Sequence, residues 1–273
     1  MKENRADTIK NEFLKIYEAI KDLTNDEILN DNDDAFRPWF EKLHPLVAMD
    51  IEDQEVEEIT RDKKIRQVIK HVSRLKRIYG LRMEIESART IINGPDSWAL
   101  LKRFEFYPNY IGLARMEYHG ASLEEGNRVV FLGSGPLPLS LISLCKQYGV
   151  KGIGIEHVPE YVELSKKIIK SLKLNRYIHI VHGNHFDLPL DQEFQLVMIG
   201  ADACPKDEIF THLAKALPDG TKVSCRIYEK GLRRLIDDQS LSQLPPEFKE
   251  YTRIRPEPPV NNTAIFLIKD RDV

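Results

Sequence analysis

The stretch Val129-Val130-Phe131-Leu132-Gly133-Ser134-Gly135 runs from a short apolar segment into a glycine turn, and an apolar helix from about Leu137 to Gln147 follows. Glycines at such a turn let the backbone pass close to a ligand, and the carboxyl ends of parallel strands are where α/β sheets bind. Leu137-Pro138 stand where the dinucleotide fingerprint has its third glycine, which argues against a cradled pyrophosphate. The next strand, Gly152-Ile153-Gly154-Ile155, ends in Glu156, roughly 20 residues beyond the glycines, where a carboxylate accepts hydrogen bonds from ribose hydroxyls. Each feature alone is ordinary in an α/β fold; the combination is more specific. After the third strand, Val181 to Leu188 adds polar side chains, Asn184 and His185 among them, that can meet a purine base. The chemistry is recognition of a nucleoside-bearing small molecule.

A second set of candidates precedes the turn. Leu81, Ile85, Ala88 and Ile92 form the apolar seam of a helix. Glu84 borders that seam, whereas Glu86, ~200° away around the axis, lies on the outer face. If one of these acids serves as a base in a cleft, periodicity selects Glu84; the competing reading is a solvated acid or an ion pair with Arg82 or Arg89. Phe104-Glu105-Phe106-Tyr107-Pro108-Asn109-Tyr110 then forms an aromatic cluster. Such clusters pack hinges, or they wall a pocket for a sulfonium and supply a phenol that positions an amine. Arg226 and Tyr228 follow a strand near its carboxyl end, with Arg233-Arg234 soon after. A guanidinium there can hold a carboxylate by a bidentate contact, Arg226 above all, and Arg233 and Arg234 read equally well as surface residues. Asn262, just before the last strand, offers an amide.

The histidines at 179, 182 and 185 raise the question of a metal. On an extended strand, residues three apart point to opposite faces, so His179 and His182 cannot share an ion. His182 and His185 could converge around the turn, but no acidic third ligand has suitable spacing. No protein-bound metal is expected.

Two stretches of different grammar position these residues. Up to about residue 115 there are amphipathic helices and no convincing strand. They run Ile9–Leu23, ended by Asn25-Asp26; Ala35–Met49, interrupted at Pro45; Arg61–Ile78, punctuated by Gly80; Leu81–Ile92, stopped by Asn93-Gly94-Pro95; and Trp98 to about Phe104, capped by Asp96 or Ser97. From Arg128 onward, short strands alternate with helices. Strands are expected at 129–132, 152–155, 178–181, 194–199, 223–228, 251–254 and 264–269, with helices at 159–172, 206–217 and, in part, 232–242. This predicts a mostly parallel sheet covered on both faces. The domains expected are a helical one over 1–115 and an α/β one over 116–273, with the boundary near residues 112–126.

Composition excludes several classes. In 273 residues, 40 Lys and Arg face 43 Asp and Glu, a net charge of -3 that leaves no electrostatic footprint for nucleic acid. No apolar run approaches the ~18 residues of a membrane span, and the start lacks the apolar stretch of a signal peptide. A cytoplasmic protein is expected. Cys145, Cys204 and Cys225 form no C-x-x-C pair, so neither a disulfide framework nor a thiolate zinc site is expected.

The layout resembles the S-adenosylmethionine-binding Rossmann domain of class I methyltransferases. Four stretches resemble more narrowly the nicotianamine synthase family, especially its archaeal and bacterial members: Arg82–Ala88 with its internal acid, Phe106-Tyr107-Pro108-Asn109-Tyr110, Phe131–Leu139 with its Gly-x-Gly-Pro-Leu-Pro turn, and Val260-Asn261-Asn262-Thr263. The resemblance implies transfer of the 3-amino-3-carboxypropyl arm of S-adenosylmethionine to an amine, with release of 5′-methylthioadenosine. It implies Glu84 as base, Tyr110 as the phenol that holds the amine, and Tyr107 as a second candidate. It further implies cofactor contacts at Leu132, Gly133, Ser134, Gly135, Pro138, Glu156, His157, Asn184, His185 and Ala201, and substrate contacts at Arg226, Tyr228 and Asn262. The acceptor implied is an aminocarboxypropyl unit, glutamate or histidine, and the product a nicotianamine-like or opine-type metallophore. The partners expected are small molecules, with a homodimer left open. An ordinary small-molecule methyltransferase shares every nucleoside-site feature, and a nucleoside-binding regulatory module is the nonenzymatic alternative.

Overall fold

The strands of the computed structural model, which describes residues 4–30, 34–229, 232–236 and 244–270, are β1 (Arg128–Leu132), β2 (Lys151–Glu156), β3 (Ile178–His182), β4 (Leu196–Ile199), β5 (Lys222–Ile227), β6 (Phe248–Ile254) and β7 (Thr263–Lys269). They form one sheet in the order β3-β2-β1-β4-β5-β7-β6. β1 to β5 run parallel, while β7 is antiparallel to both β5 and β6. This is the Rossmann-like α/β layout expected from the alternation of apolar runs and helices.

The helices are α1 (Arg5–Ile20), α2 (Asn25–Asn30), α3 (Arg37–Ala48), α4 (Asp53–Arg61), α5 (Lys63–Asn93), α6 (Ser97–Lys102), α7 (Tyr107–Gly120), α8 (Leu139–Tyr148), α9 (Pro159–Ser171) and α10 (Lys206–Ala216), with a helical turn at Arg233–Ile236. The chain divides into two units, Met1–Met83 with Tyr228–Asp238, and Glu84–Ile227 with Gln239–Val273. The division thus falls inside α5 rather than near residues 112–126. The reason lies in α7, which packs on α8 and β7 and so belongs with the sheet.

In the first unit, α1 buries Ala6, Ile9, Phe13, Ile16 and Ile20, the three-to-four spacing of one helical face. Asn4 caps it by accepting from the Ala6 N–H at 3.2 Å. Two expected breaks do not occur. α3 continues through Pro45 to Ala48, since a missing N–H removes one hydrogen bond while Phe40, Leu43, Leu46 and Val47 stay buried in the core. α5 continues through Gly80, where a glycine costs about 1 kcal/mol and the buried Val72, Leu75 and Tyr79 offset it. Arg82, a possible partner for a helix acid, bonds Asp34 Oδ1 at 2.6 Å and the Ile28 carbonyl at 3.0 Å. The partial helix expected over 232–242 is seen at Arg233–Ile236, and 237–243 lie outside the described residues.

In the second unit, Val130 and Leu132 of β1 point to a core shared with Ile209, Phe210 and Leu213 of α10. Phe131, between them, faces the opposite side, as strand alternation requires. Of the aromatic cluster, Tyr107 to Tyr110 form the first turn of α7, a helix not expected there. Its Pro108 sits in the first turn, where the absent N–H would have no helical partner anyway. Asp96 caps α6 by accepting from the Ala99 N–H at 3.0 Å.

Candidate functional site

The Gly-x-Gly turn between β1 and α8 is held by Glu156, at the tip of β2. The Gly135 N–H donates to Glu156 Oε2 at 3.0 Å and the Val158 N–H donates to Oε1 at 2.9 Å. His157 Nδ1 lies 3.2 Å from that same Oε1. The Gly133 and Ser134 N–H groups both donate to the Ile155 carbonyl, and the Ser165 hydroxyl donates to the Gly135 carbonyl at 2.5 Å. Gly133 (φ 74°) and Gly135 (φ 71°) lie in the left-handed region, which side chains enter at a cost of ~1–2 kcal/mol. Space matters as much as dihedral angle. A Cβ on Gly133 would stand 3.1 Å from Ala203 Cβ, and one on Gly135 would stand 3.2 Å from Glu84 Oε2.

Glu84 therefore lies directly over the second glycine, brought there by the last turns of α5. Tyr110, in the first turn of α7, donates its phenol to Glu84 Oε1 at 3.2 Å. Burial pushes the Glu84 carboxyl up to about 8, helped by the negative charges of Asp202 and Glu156 and opposed by the Tyr110 hydrogen bond. A carboxylate tuned to that range exchanges protons near neutrality, as a general base for an ammonium must.

Asp202 belongs to the turn Gly200-Ala201-Asp202-Ala203 after β4, tied down by the Gly200 N–H on the Leu132 carbonyl at 3.0 Å and by Lys206 on the Ala201 carbonyl. Asp202 was not among the residues singled out from the sequence. The signal was available, an acid just past a strand tip, the same logic that selected Glu156.

The other candidates are distributed unevenly. Leu132, Ser134 and Pro138 are buried along the turn. Asn184 is exposed and forms a local turn, its Oδ1 accepting from the Phe186 N–H at 2.8 Å. His185 packs on Phe186, ring centres 4.1 Å apart and planes tilted by 39°, and lies 3.5 Å from Glu208, and burial lowers its imidazole pKa. Tyr107 opens α7 three residues before Tyr110, and burial raises its phenol pKa.

Arg226 does not present a free fork. Its Nε donates to Glu117 Oε1 at 3.1 Å and one Nη donates to Ser140 Oγ at 2.9 Å, with both ionic side chains buried. Glu117 was also missed, although an acid among the apolar Leu113, Met116 and Gly120 positions of one helix face calls for a buried cation. Asn262 is buried, and its Nδ2 has no partner among the described residues. Tyr228 belongs to the first unit, and the side chain of Arg233 lies outside the described residues.

His182 Nε2 lies 3.1 Å from the His157 carbonyl. Among the described residues, no group of three or more His, Cys, Asp or Glu is arranged to hold a metal ion. None of the described helices is long and apolar enough to cross a membrane.

Three comparisons bear on this arrangement. The family model described as "Nicotianamine synthase protein" matches residues 2–273. "Probable nicotianamine synthase 4" of Hordeum vulgare is 25% identical over 186 residues, 62% of this chain and 55% of the barley protein, so the match spans about half of that relative's length. Among solved structures, a mutant of MtNAS in complex with S-adenosylmethionine superimposes with a TM-score of 0.84 at 23% identity, covering 95% of this chain and 97% of that one. MtNAS in complex with MTA and tNA gives 0.79 at 24% identity, covering 97% of each. At those identities the two structures establish a shared fold.

Proposed function

We infer the activity from a plain premise: the chain belongs to the nicotianamine synthase family, whose model it matches from residue 2 to residue 273. It transfers the 3-amino-3-carboxypropyl group of S-adenosylmethionine to the amine of an aminocarboxypropyl unit, glutamate or histidine. The products are 5′-methylthioadenosine and a nicotianamine-like or opine-type chelator. Support comes from MtNAS, of the same fold, which has been solved with S-adenosylmethionine and with MTA and tNA.

The observation that carries the proposal is the Glu84–Tyr110 pair at 3.2 Å, standing over Gly135 of the nucleoside turn. The sulfonium is already an activated leaving group, so the protein has no electrophile to generate. It has to hold an amine in line and accept its proton. In the transfer, the amine nitrogen forms a bond to the γ-carbon and the bond from γ-carbon to sulfur breaks. The electron pair goes to sulfur, which leaves as a neutral thioether, and the ammonium proton passes to Glu84. Glu156 with the Gly133 and Gly135 backbone holds the nucleoside, Tyr110 orients the nitrogen, and the buried Asn262 amide is available to a substrate carboxylate.

Purified protein is incubated with S-adenosylmethionine, alone and with glutamate or histidine, and the products are identified by mass spectrometry. Methylthioadenosine together with an acceptor heavier by one aminocarboxypropyl group is expected. S-adenosylhomocysteine would overturn the proposal in favour of methyl transfer, and binding without turnover would overturn it in favour of a regulatory module.

A further inference from the structure

Tyr110 reaches Glu84 from the first turn of α7, so the placement of that turn decides whether the phenol meets the carboxylate. Two contacts seat it on the segment that leads into β7. The buried Asn109 carboxamide accepts the Asn261 N–H at 2.9 Å, across 152 residues of sequence. One turn on, Gly112 leaves no room for a side chain, because a Cβ there would run into the Val260 Cγ2 methyl. Val260 is itself buried, and its N–H donates to the Glu257 carbonyl at 2.8 Å. Residues 109 and 112 are three apart and share one helical face, while Tyr110 is turned ~100° from Asn109 about the axis. A shift of that seat therefore moves the turn that carries the phenol to the Glu84 carboxylate.

We propose that Asn109 is a positioning residue for the transfer: by locking the Val260–Asn262 segment to the first turn of α7, with Gly112 allowing the close approach, it holds the Tyr110 phenol on Glu84. The proposal rests on the reading of Glu84 as the base. The titratable groups that act on it are Tyr110 from α7, through a hydrogen bond, and the negative Asp202 from the turn after β4 and Glu156 from the tip of β2. Of these, only the Tyr110 hydrogen bond favours the ionised carboxylate, so losing it raises the pH at which Glu84 becomes a base.

The test records pH–rate profiles and S-adenosylmethionine affinity for Asn109→Ala beside Tyr110→Phe. Tyr110→Phe is expected to move the acid limb to higher pH. Asn109→Ala is expected to move it in the same direction and to lower kcat ~10-fold, with cofactor Kd changed less than ~2-fold. A limb that moves for Tyr110→Phe but stays put for Asn109→Ala overturns the positioning role and leaves the base assignment standing. A limb unmoved by Tyr110→Phe overturns both. Should Asn109→Ala fail to fold, Gly112→Ala takes its place. That change should shift the limb, and adding Val260→Ala should bring limb and rate back together; without that rescue the proposal fails.

Discussion

Glu84, half-buried, and Glu117, buried, are two carboxylates of the same α/β unit, and their surroundings are opposite. Glu117 faces Arg226 at 3.1 Å, and that guanidinium is also held by Ser140 and lies 5.7 Å from the centre of the Phe131 ring. Glu84 has a neutral phenol at 3.2 Å, with the negative Asp202 and Glu156 adding repulsion. Removing a carboxylate from water is costly in either place. Where the acid holds a helix to a strand, a cation offsets that cost. At Glu84, the residue proposed as the base, the cost is left standing and appears as a raised pKa.

The largest expected break in this contrast is Arg226→Met. It leaves Glu117 buried and alone, and a lost partner in such a pair destabilises by about 3–5 kcal/mol. A lowered urea midpoint would register it, and Arg226→Met with Glu117→Leu should recover most of the loss. If the single variant unfolds at the wild-type midpoint, the pair is not what holds α7 to β5.

Glu84→Gln, by contrast, should leave the fold intact and lower the transfer rate ~10²-fold or more, as for a lost general base, with cofactor binding kept. Wild-type turnover in that variant removes Glu84 from the mechanism. Gly135→Ala tests the turn beneath it. A side chain at φ 71°, with its Cβ 3.2 Å from Glu84 Oε2, should cost about 1–2 kcal/mol and weaken S-adenosylmethionine binding ~10-fold by calorimetry. Undiminished affinity would mean that the nucleoside sits elsewhere.

A further test sharpens the comparison through pH. The folded-state pKa of Glu84, about 8, lies above its ordinary 4.5. Between those values the folded protein therefore binds more protons than the unfolded chain, and this group's contribution to stability falls as pH rises. Thermal midpoints of wild type and Glu84→Gln should agree best near pH 5 and separate toward pH 8–9, with the glutamine variant higher. A constant difference across that range would show that Glu84 titrates normally.

Much of the α/β half could be read along the chain. β1, β2 and β3 are short apolar runs closed by Gly, Glu or His; β1 and β2 are buried on both faces, and the edge strand β3 on one. Glu84 was preferred over Glu86 by helical angle alone. α7 was not legible, because Tyr107-Pro108 looks like a hinge when only the neighbours are visible. A proline in a first turn breaks nothing. Gly80 and Pro45 misled for a related reason, since a local penalty of one hydrogen bond or one glycine is small beside the buried apolar residues of a core. Arg226 looked like a substrate fork because nothing local discloses Glu117, 109 residues away.

Patterns of three, four and two residues were enough to indicate strands, helices, a Gly-x-Gly turn and which acid of α5 borders an apolar seam. Those are consequences of covalent geometry and of keeping apolar side chains from water, and both act over a few residues. Which carboxylate meets a guanidinium and which meets a phenol depends on groups 26 to 109 positions apart. Electrostatic free energy is governed by distance and burial, and folding alone sets those.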